Sequence, residues 1–274
     1  MKKHSGFTLI ELSIVLVIVG LIVGAVIIGK EMIETAKIRA QLSQIEQVNT
    51  SINTFKGKYN CYPGDCATAV SFGLGTNTSW HNGNGDQKLD YGCFMNNIPL
   101  SKESFNFYSQ LSLAGLIQGT FGAYTGQAYA TGWDDSLAKT NFLLGKLNGT
   151  VLIPTGFDNT DVRCPNPAWA ASELRYIRTG GRGYALAGIP VGPNYYTQNY
   201  PVPVLTVFAM DAKIDDGMPL TGKIGVSQYY DITTIAAAAI PDWGAGGGCV
   251  TGTNSYSSAT AATTKCTPVF LFQY

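Results

Sequence analysis

Residues 7–29 begin Phe7-Thr8-Leu9-Ile10-Glu11-Leu12-Ser13-Ile14-Val15 and carry no charge from Leu12 to Gly29. As a helix this stretch is about 35 Å long, enough to cross a hydrocarbon core of about 30 Å. A secretory signal has a shorter apolar run followed by a small-residue cleavage site. No Ala-x-Ala follows here, so the run reads as a membrane anchor. Lys2 and Lys3 precede it, and the positive-inside rule keeps that end cytoplasmic and sends the rest outward. Lys30 follows the span, but Glu31 and Glu34 come soon after.

Glu11 is the anomaly of the run. A carboxylate in hydrocarbon is costly and calls for a partner or a function. It also lies near the cytoplasmic end, where it can snorkel to the headgroups, and position alone leaves both readings open.

Beyond the span, Ile38, Leu42, Ile45, Val48, Ile52 and Phe55 recur at helical spacing with polar residues between them. No proline occurs before Pro63. The pattern predicts one helix from about Thr8 to Phe55, roughly 70 Å long. Its second half should dock on a head, and Gly57 and the stretch from Tyr59 to Asp65 should end it. Gly20 and Gly24 form a G-x-x-x-G pair that permits close helix contact, although glycine is common in membrane helices anyway.

Only 13% of residues are charged and the net charge is zero, which argues against a nucleic-acid partner. The 15 tyrosines and 12 phenylalanines argue against disorder. The 32 glycines fall in loop-like stretches, with no internal repeat. The six cysteines, Cys61, Cys66, Cys93, Cys164, Cys249 and Cys266, suggest an oxidising compartment and disulfides. Zinc is the rival reading, but no C-x-x-C occurs and His81 is the only histidine after His4. Short loops close with little entropy cost, which favours Cys61–Cys66 and Cys249–Cys266 and leaves Cys93 with Cys164 by elimination.

Gly6-Phe7-Thr8-Leu9-Ile10-Glu11 resembles the cleavage and methylation signature of type IV prepilins and type II secretion pseudopilins. The resemblance implies that a prepilin peptidase cuts after Gly6 on the cytoplasmic face and methylates the new amino group of Phe7. A glycine before the cut lets the backbone enter a protease cleft without a side chain. It also implies a partner for Glu11, namely the Phe7 amine of the adjacent subunit, a pairing that would set the axial register of a filament. The chain then divides into a leader (1–6), a membrane and assembly segment (7–29), an amphipathic stalk (30–58) and a head (59–274). Many pilins have a proline inside the apolar segment. This chain has none, so helix melting in a fibre would have to use Gly20, Gly24 or Gly29.

In the head, Pro63-Gly64 reads as a type II turn flanked by Cys61 and Cys66. Tyr59, Pro63, Gly64 and Asp65 resemble the Y-x-x-x-P-G-D motif of a pseudopilin-like subgroup. So do Glu103-Ser104-Phe105, the run from Leu111 to Ile117, and Asp211-Ala212-Lys213-Ile214-Asp215-Asp216-Gly217-Met218-Pro219 with Gly222. Ser101 to Ile117 reads as a helix with Ser101 as N-cap and Phe107, Tyr108, Leu111 and Ala114 facing inward. The run from Val202 to Met210 fits either a strand or a helix. Strand candidates are Thr150–Ile153, Tyr184–Ala187, Lys223–Tyr229 and Val269–Phe272, which suggest a mostly antiparallel sheet. Cys249 and Cys266 bracket a Gly/Ser/Thr-rich stretch that looks like the disulfide-closed C-terminal loop of many pilins.

Asn82-Gly83-Asn84-Gly85-Asp86-Gln87-Lys88-Leu89-Asp90 places side-chain oxygens at alternate positions, an arrangement that suits calcium. The candidate ligands are Asn84, Asp86 and Asp90, with Asp211, Asp215 and Asp216 as the other acidic cluster. The loop departs from an EF-hand, since Gln87 replaces the turn glycine and Cys93 stands where a bidentate glutamate belongs. A plain polar turn is the alternative. The stretch from Gly217 to Lys223 mimics a phosphate loop, but Ile224 follows where Ser or Thr is needed and Asp215 and Asp216 would repel phosphate. There is no G-x-S-x-G and no H-E-x-x-H, so an enzymatic head is not expected.

The expected architecture is α+β and pilin-like: a long membrane and stalk helix on a mostly antiparallel head with disulfide loops. The expected function is a structural subunit, minor or large, of a type IV pilus or type II secretion pseudopilus. Its partners would be prepilin peptidase, other pilin or pseudopilin subunits and the inner-membrane assembly platform, with no nucleic acid. It would sit in the inner membrane with its head periplasmic and later in the filament. A pilus-tip adhesin on the same anchor is the alternative, which Tyr195-Tyr196 and Tyr229-Tyr230 could serve if exposed.

Overall fold

Helix α1 spans Leu9–Tyr59 in the computed structural model, which describes residues 8–87, 89, 102–125, 139–157, 181–188, 202–219, 221–227, 249–251, 255–256 and 265–271. Thr8 is its N-cap and forms a capping box with Glu11, so two helix-end donors are satisfied reciprocally. At the far end Asn60 takes a left-handed φ of 56°, and its N–H returns to the Lys56 carbonyl at 2.8 Å. Gly57, expected to help end the helix, lies inside it, and the chain turns only at Asn60. Asparagine tolerates the left-handed conformation, and Lys56 and Lys58 in the last turn suit the negative end of the helix dipole.

The two halves of α1 differ in what covers them. From Leu9 to Ala36 every residue except half-buried Gly29 is exposed, on all sides of the helix. Among the described residues this is the one helix long and apolar enough to cross a membrane. From Ile38 onward one face is covered: Ile38, Leu42, Ile45, Val48, Ile52 and Phe55 are all buried in the core. The helix is continuous through Gly20, Gly24 and Gly29.

After α1, the disulfide Cys61–Cys66 closes a turn in which Gly64 has φ +86°, the positive value a type II turn needs at that position. A 3₁₀ turn (Val70–Phe72) and the short helix α2 (Thr78–His81) lead towards helix α3 (Lys102–Leu113). Residues 103–111 of α3 are all buried, polar ones included. The polar groups bond loop backbone: Gln110 donates to His81 O at 2.8 Å and accepts from Gly64 N at 2.7 Å. Asn106 donates to Trp80 O and accepts from Tyr124 N. Helix α3 stops at Leu113, before the expected Ile117. Gly115 turns left-handed at φ +72° and the Leu116 N–H returns to Leu111 O, which is a glycine C-cap. Ser101, expected as N-cap, lies outside the described residues.

The sheet contains β1 (Leu143–Leu144), β2 (Thr150–Phe157), β3 (Gly181–Gly188), β4 (Val202–Pro203), β5 (Ile224–Ser227) and β8 (Lys265–Leu271). All its pairings are antiparallel. The order runs β1-β2-β3-β8-β4, with β5 also on β8. Strand β8 is central, since Phe270 pairs with both Tyr184 of β3 and Ile224 of β5. Thr150, Val151, Leu152 and Ile153 are buried in succession, so both faces of β2 are covered. The Val202–Met210 ambiguity resolves as both: Val202–Pro203 pairs with β8, then helix α4 runs Val204–Ile214. Proline at a helix entry is harmless because the first N–H groups have no intrahelical partner. Helix α4 packs on α1, β4 and β8. Val250–Thr251 (β6) and Ser255–Tyr256 (β7) form a hairpin inside the loop closed by Cys249–Cys266.

Candidate functional site

Helix geometry puts the Glu11 carboxylate one turn from the start of α1. Its Oε2 accepts the Thr8 backbone N–H and the Thr8 hydroxyl, both at 2.8 Å. Thr8 Oγ1 accepts the Glu11 N–H at 3.3 Å. Glu11 is fully solvent-open in the single subunit and shares its surface with exposed Leu9, Ile10 and Leu12. A carboxylate so placed can accept a further cationic donor without leaving the helix surface, because each oxygen offers more than one acceptor site. Gly6 and Phe7 lie outside the described residues. A Cβ added at Gly20 or Gly24 would meet nothing within 4 Å, so that face is open to close approach.

The Asn84 loop is tied down by buried acids. Asp65 and Glu103 are both buried; Asp65 Oδ1 accepts Gly85 N–H at 2.8 Å and Glu103 Oε1 accepts Asn84 N–H at 2.9 Å. Asn84 and Asp86 bond each other, through Asn84 Nδ2 to Asp86 Oδ2 at 3.2 Å and Asp86 N to Asn84 Oδ1 at 2.9 Å. Asp90, the third expected ligand, lies outside the described residues.

The second acidic cluster is assembled. Asp211 closes α4, Asp215 and Asp216 follow it, and one carboxylate oxygen from each lies within 4.8 Å of the others. Asp216 accepts the Met218 N–H at 2.9 Å and the Thr221 hydroxyl at 2.6 Å, which hold its carboxyl below the usual range. Asp215 accepts the Lys223 N–H, and a Cβ at Gly222 would collide with its carboxylate. Asp211 is 0% exposed, and its Oδ2 accepts the Tyr256 hydroxyl at 2.6 Å. Burial, and then the charges of Asp216 and Asp215, push Asp211 up to about 6 against the Tyr256 and Gly217 hydrogen bonds. The Tyr256 phenol is raised, first by burial and then by its bond to Asp211.

Four of the six cysteines are described, joined as Cys61–Cys66 and Cys249–Cys266; Cys93 and Cys164 lie outside the described residues, as do Tyr195, Tyr196, Tyr229 and Tyr230. The docking face of the stalk also holds residues the hydrophobic pattern misses. Gln41 is 0% exposed and accepts the Lys146 N–H at 2.6 Å and the Leu147 N–H at 3.3 Å. Gln44 donates to Leu144 O at 2.8 Å, and Ser51 donates to Leu116 O at 3.0 Å. The available signal was their spacing, since Gln41, Gln44 and Ser51 flank Leu42, Ile45 and Ile52 on the buried face.

A long apolar helix, a small antiparallel head and two disulfides define a pilin-like α+β protein. Residues 1–27 match the family model of the prokaryotic N-terminal methylation motif, so the chain carries the signature of type IV prepilins and pseudopilins. The apolar helix together with this motif fits inner-membrane anchoring. No curated protein and no solved structure matches the chain significantly.

Proposed function

We propose that this chain is a structural subunit, minor or large, of a type IV pilus or type II secretion pseudopilus. Residues 1–6 act as a leader removed by prepilin peptidase after Gly6, and Phe7 is then N-methylated. Residues 7–29 hold the subunit in the inner membrane with the N-terminus cytoplasmic, residues 30–58 form the stalk, and residues 59–274 form the periplasmic head. Assembly moves the apolar half of α1 from lipid into the filament core. There Glu11 meets the Phe7 amine of a neighbouring subunit and sets its register.

The observation that carries this reading is the division of α1. One continuous helix is exposed and apolar through its first half and docked on the head through its second. An anchor with no further role would not need a rigid link between span and head, whereas a filament subunit transmits its helix position to its head through it. Mass spectrometry of the membrane-extracted protein is expected to find N-methylated Phe7 at the start, and immunogold labelling is expected to place the head on sheared filaments. An intact Met1, or a cut beyond Gly29, contradicts the reading. Label confined to filament tips would assign the chain to the tip, where an adhesin acts.

A further inference from the structure

The convergence of three carboxylates at the end of α4 has a feature that an ordinary acidic turn lacks. Asp211 is completely buried, its Oδ2 is taken by Tyr256, and its Oδ1 has no hydrogen-bond partner. A buried acceptor left without a donor is costly, and two more carboxylates beside it raise that cost. No lysine or arginine is among the groups acting on Asp211 or Asp216. A cation at this point would satisfy the free oxygen and offset the mutual repulsion together.

We propose that Asp211, Asp215 and Asp216 form a site for a hard divalent cation, with calcium as its ion. The donors are all oxygen, as calcium requires, and backbone carbonyls and water can complete a set of six to eight. Each carboxylate is already oriented by a protein donor: Tyr256 on Asp211, Lys223 N–H on Asp215, and Met218 N–H with Thr221 on Asp216. Those bonds leave lone pairs for a metal while limiting the freedom lost on binding. Tyr256 belongs to the loop closed by Cys249–Cys266. The ion would therefore join three parts of the head: the end of α4, the turn from Asp215 to Gly222, and the C-terminal disulfide loop. The Asn84 loop is a separate place, since Asp86 is not in this group.

The test uses the full chain in detergent micelles, stripped of metal and titrated with calcium. Equilibrium dialysis should show saturable binding near one calcium per chain, with a Kd of about 1 mM or tighter, the range of extracellular modules. At a hundredfold excess over Kd the melting temperature should rise by roughly 5–10 °C. Asp215→Asn with Asp216→Asn keeps acceptors for the loop hydrogen bonds and removes two charges. This variant should melt normally without metal, bind calcium at least tenfold more weakly and lose the thermal shift. Asn84→Ala with Asp86→Ala should keep both binding and shift. Absence of saturable binding in the wild type overturns the proposal. So does wild-type affinity in the Asp215/Asp216 variant, or a loss of binding that follows Asn84 and Asp86 instead.

Discussion

Glu11 accepts both the backbone N–H and the hydroxyl of Thr8 at 2.8 Å, so its charge is engaged at the start of its own helix before any neighbour arrives. This separates two roles that the sequence merges into one anomalous acid. Capping needs an acceptor at this position, which a glutamine can also supply. Pairing with a neighbour's amine needs the charge.

The Pro63-Gly64 turn sits against α3 with no room to spare. A Cβ at Gly64 would lie 2.2 Å from the Glu103 carbonyl oxygen, and φ there is +86°. Gly64→Ala is expected to destabilise the head by at least about 1–3 kcal/mol from the left-handed conformation alone. Thermal unfolding of the full chain in detergent checks this, and an unchanged melting temperature would contradict it.

Gln41 ties the stalk to the loop after β1. Replacing it by alanine leaves the buried Lys146 and Leu147 N–H groups without that acceptor. A loss of about 1–3 kcal/mol is expected. Gln41→Glu keeps the acceptor but buries a charge, and should be worse than alanine.

Tyr108 is fully buried beside Phe107, Phe121 and Phe142, and its hydroxyl has no hydrogen-bond partner. Burial raises its phenol well above the usual range. Tyr108→Phe removes an unsatisfied polar group and keeps the ring, so the melting temperature should stay level or rise, by up to about 1 kcal/mol of stability. A clear loss would mean that the hydroxyl has a bonded partner in solution.

Non-reducing peptide mapping is expected to recover Cys61–Cys66 and Cys249–Cys266 as linked peptides, with Cys93 joined to Cys164. Free thiols at Cys61 and Cys66 would contradict the closed turn after α1.

Much of this fold was legible because α1 is long and its two periodic regimes are unmixed. The stripe from Ile38 to Phe55 is buried as its spacing requires, and the antiparallel strand candidates fall where β-branched residues cluster. Helix ends were less legible. Asn60 and Gly115 stop their helices through left-handed caps, and Gly57 does not, although all three are residues that can end a helix. The polar side of the core was hidden for another reason. Gln41, Asn106 and Gln110 are buried because they serve loop backbone distant in sequence, and no local pattern encodes such partners. The acidic cluster was visible as residue types, but the free oxygen of Asp211 depends on the placement of Tyr256.

The most direct test of the filament account is the recovery of Glu11→Gln in sheared filaments, measured beside its processing in the membrane fraction. Glutamine retains an acceptor for the Thr8 cap and makes the span more apolar, so insertion and cleavage after Gly6 should proceed. The charge that meets the neighbouring amine is gone, which leaves a buried cation without its partner in the assembled state. The account predicts processed Glu11→Gln subunit accumulating in the inner membrane and absent from filaments. Incorporation at the wild-type level beside wild-type subunits would contradict it and leave Glu11 as a helix-capping acid.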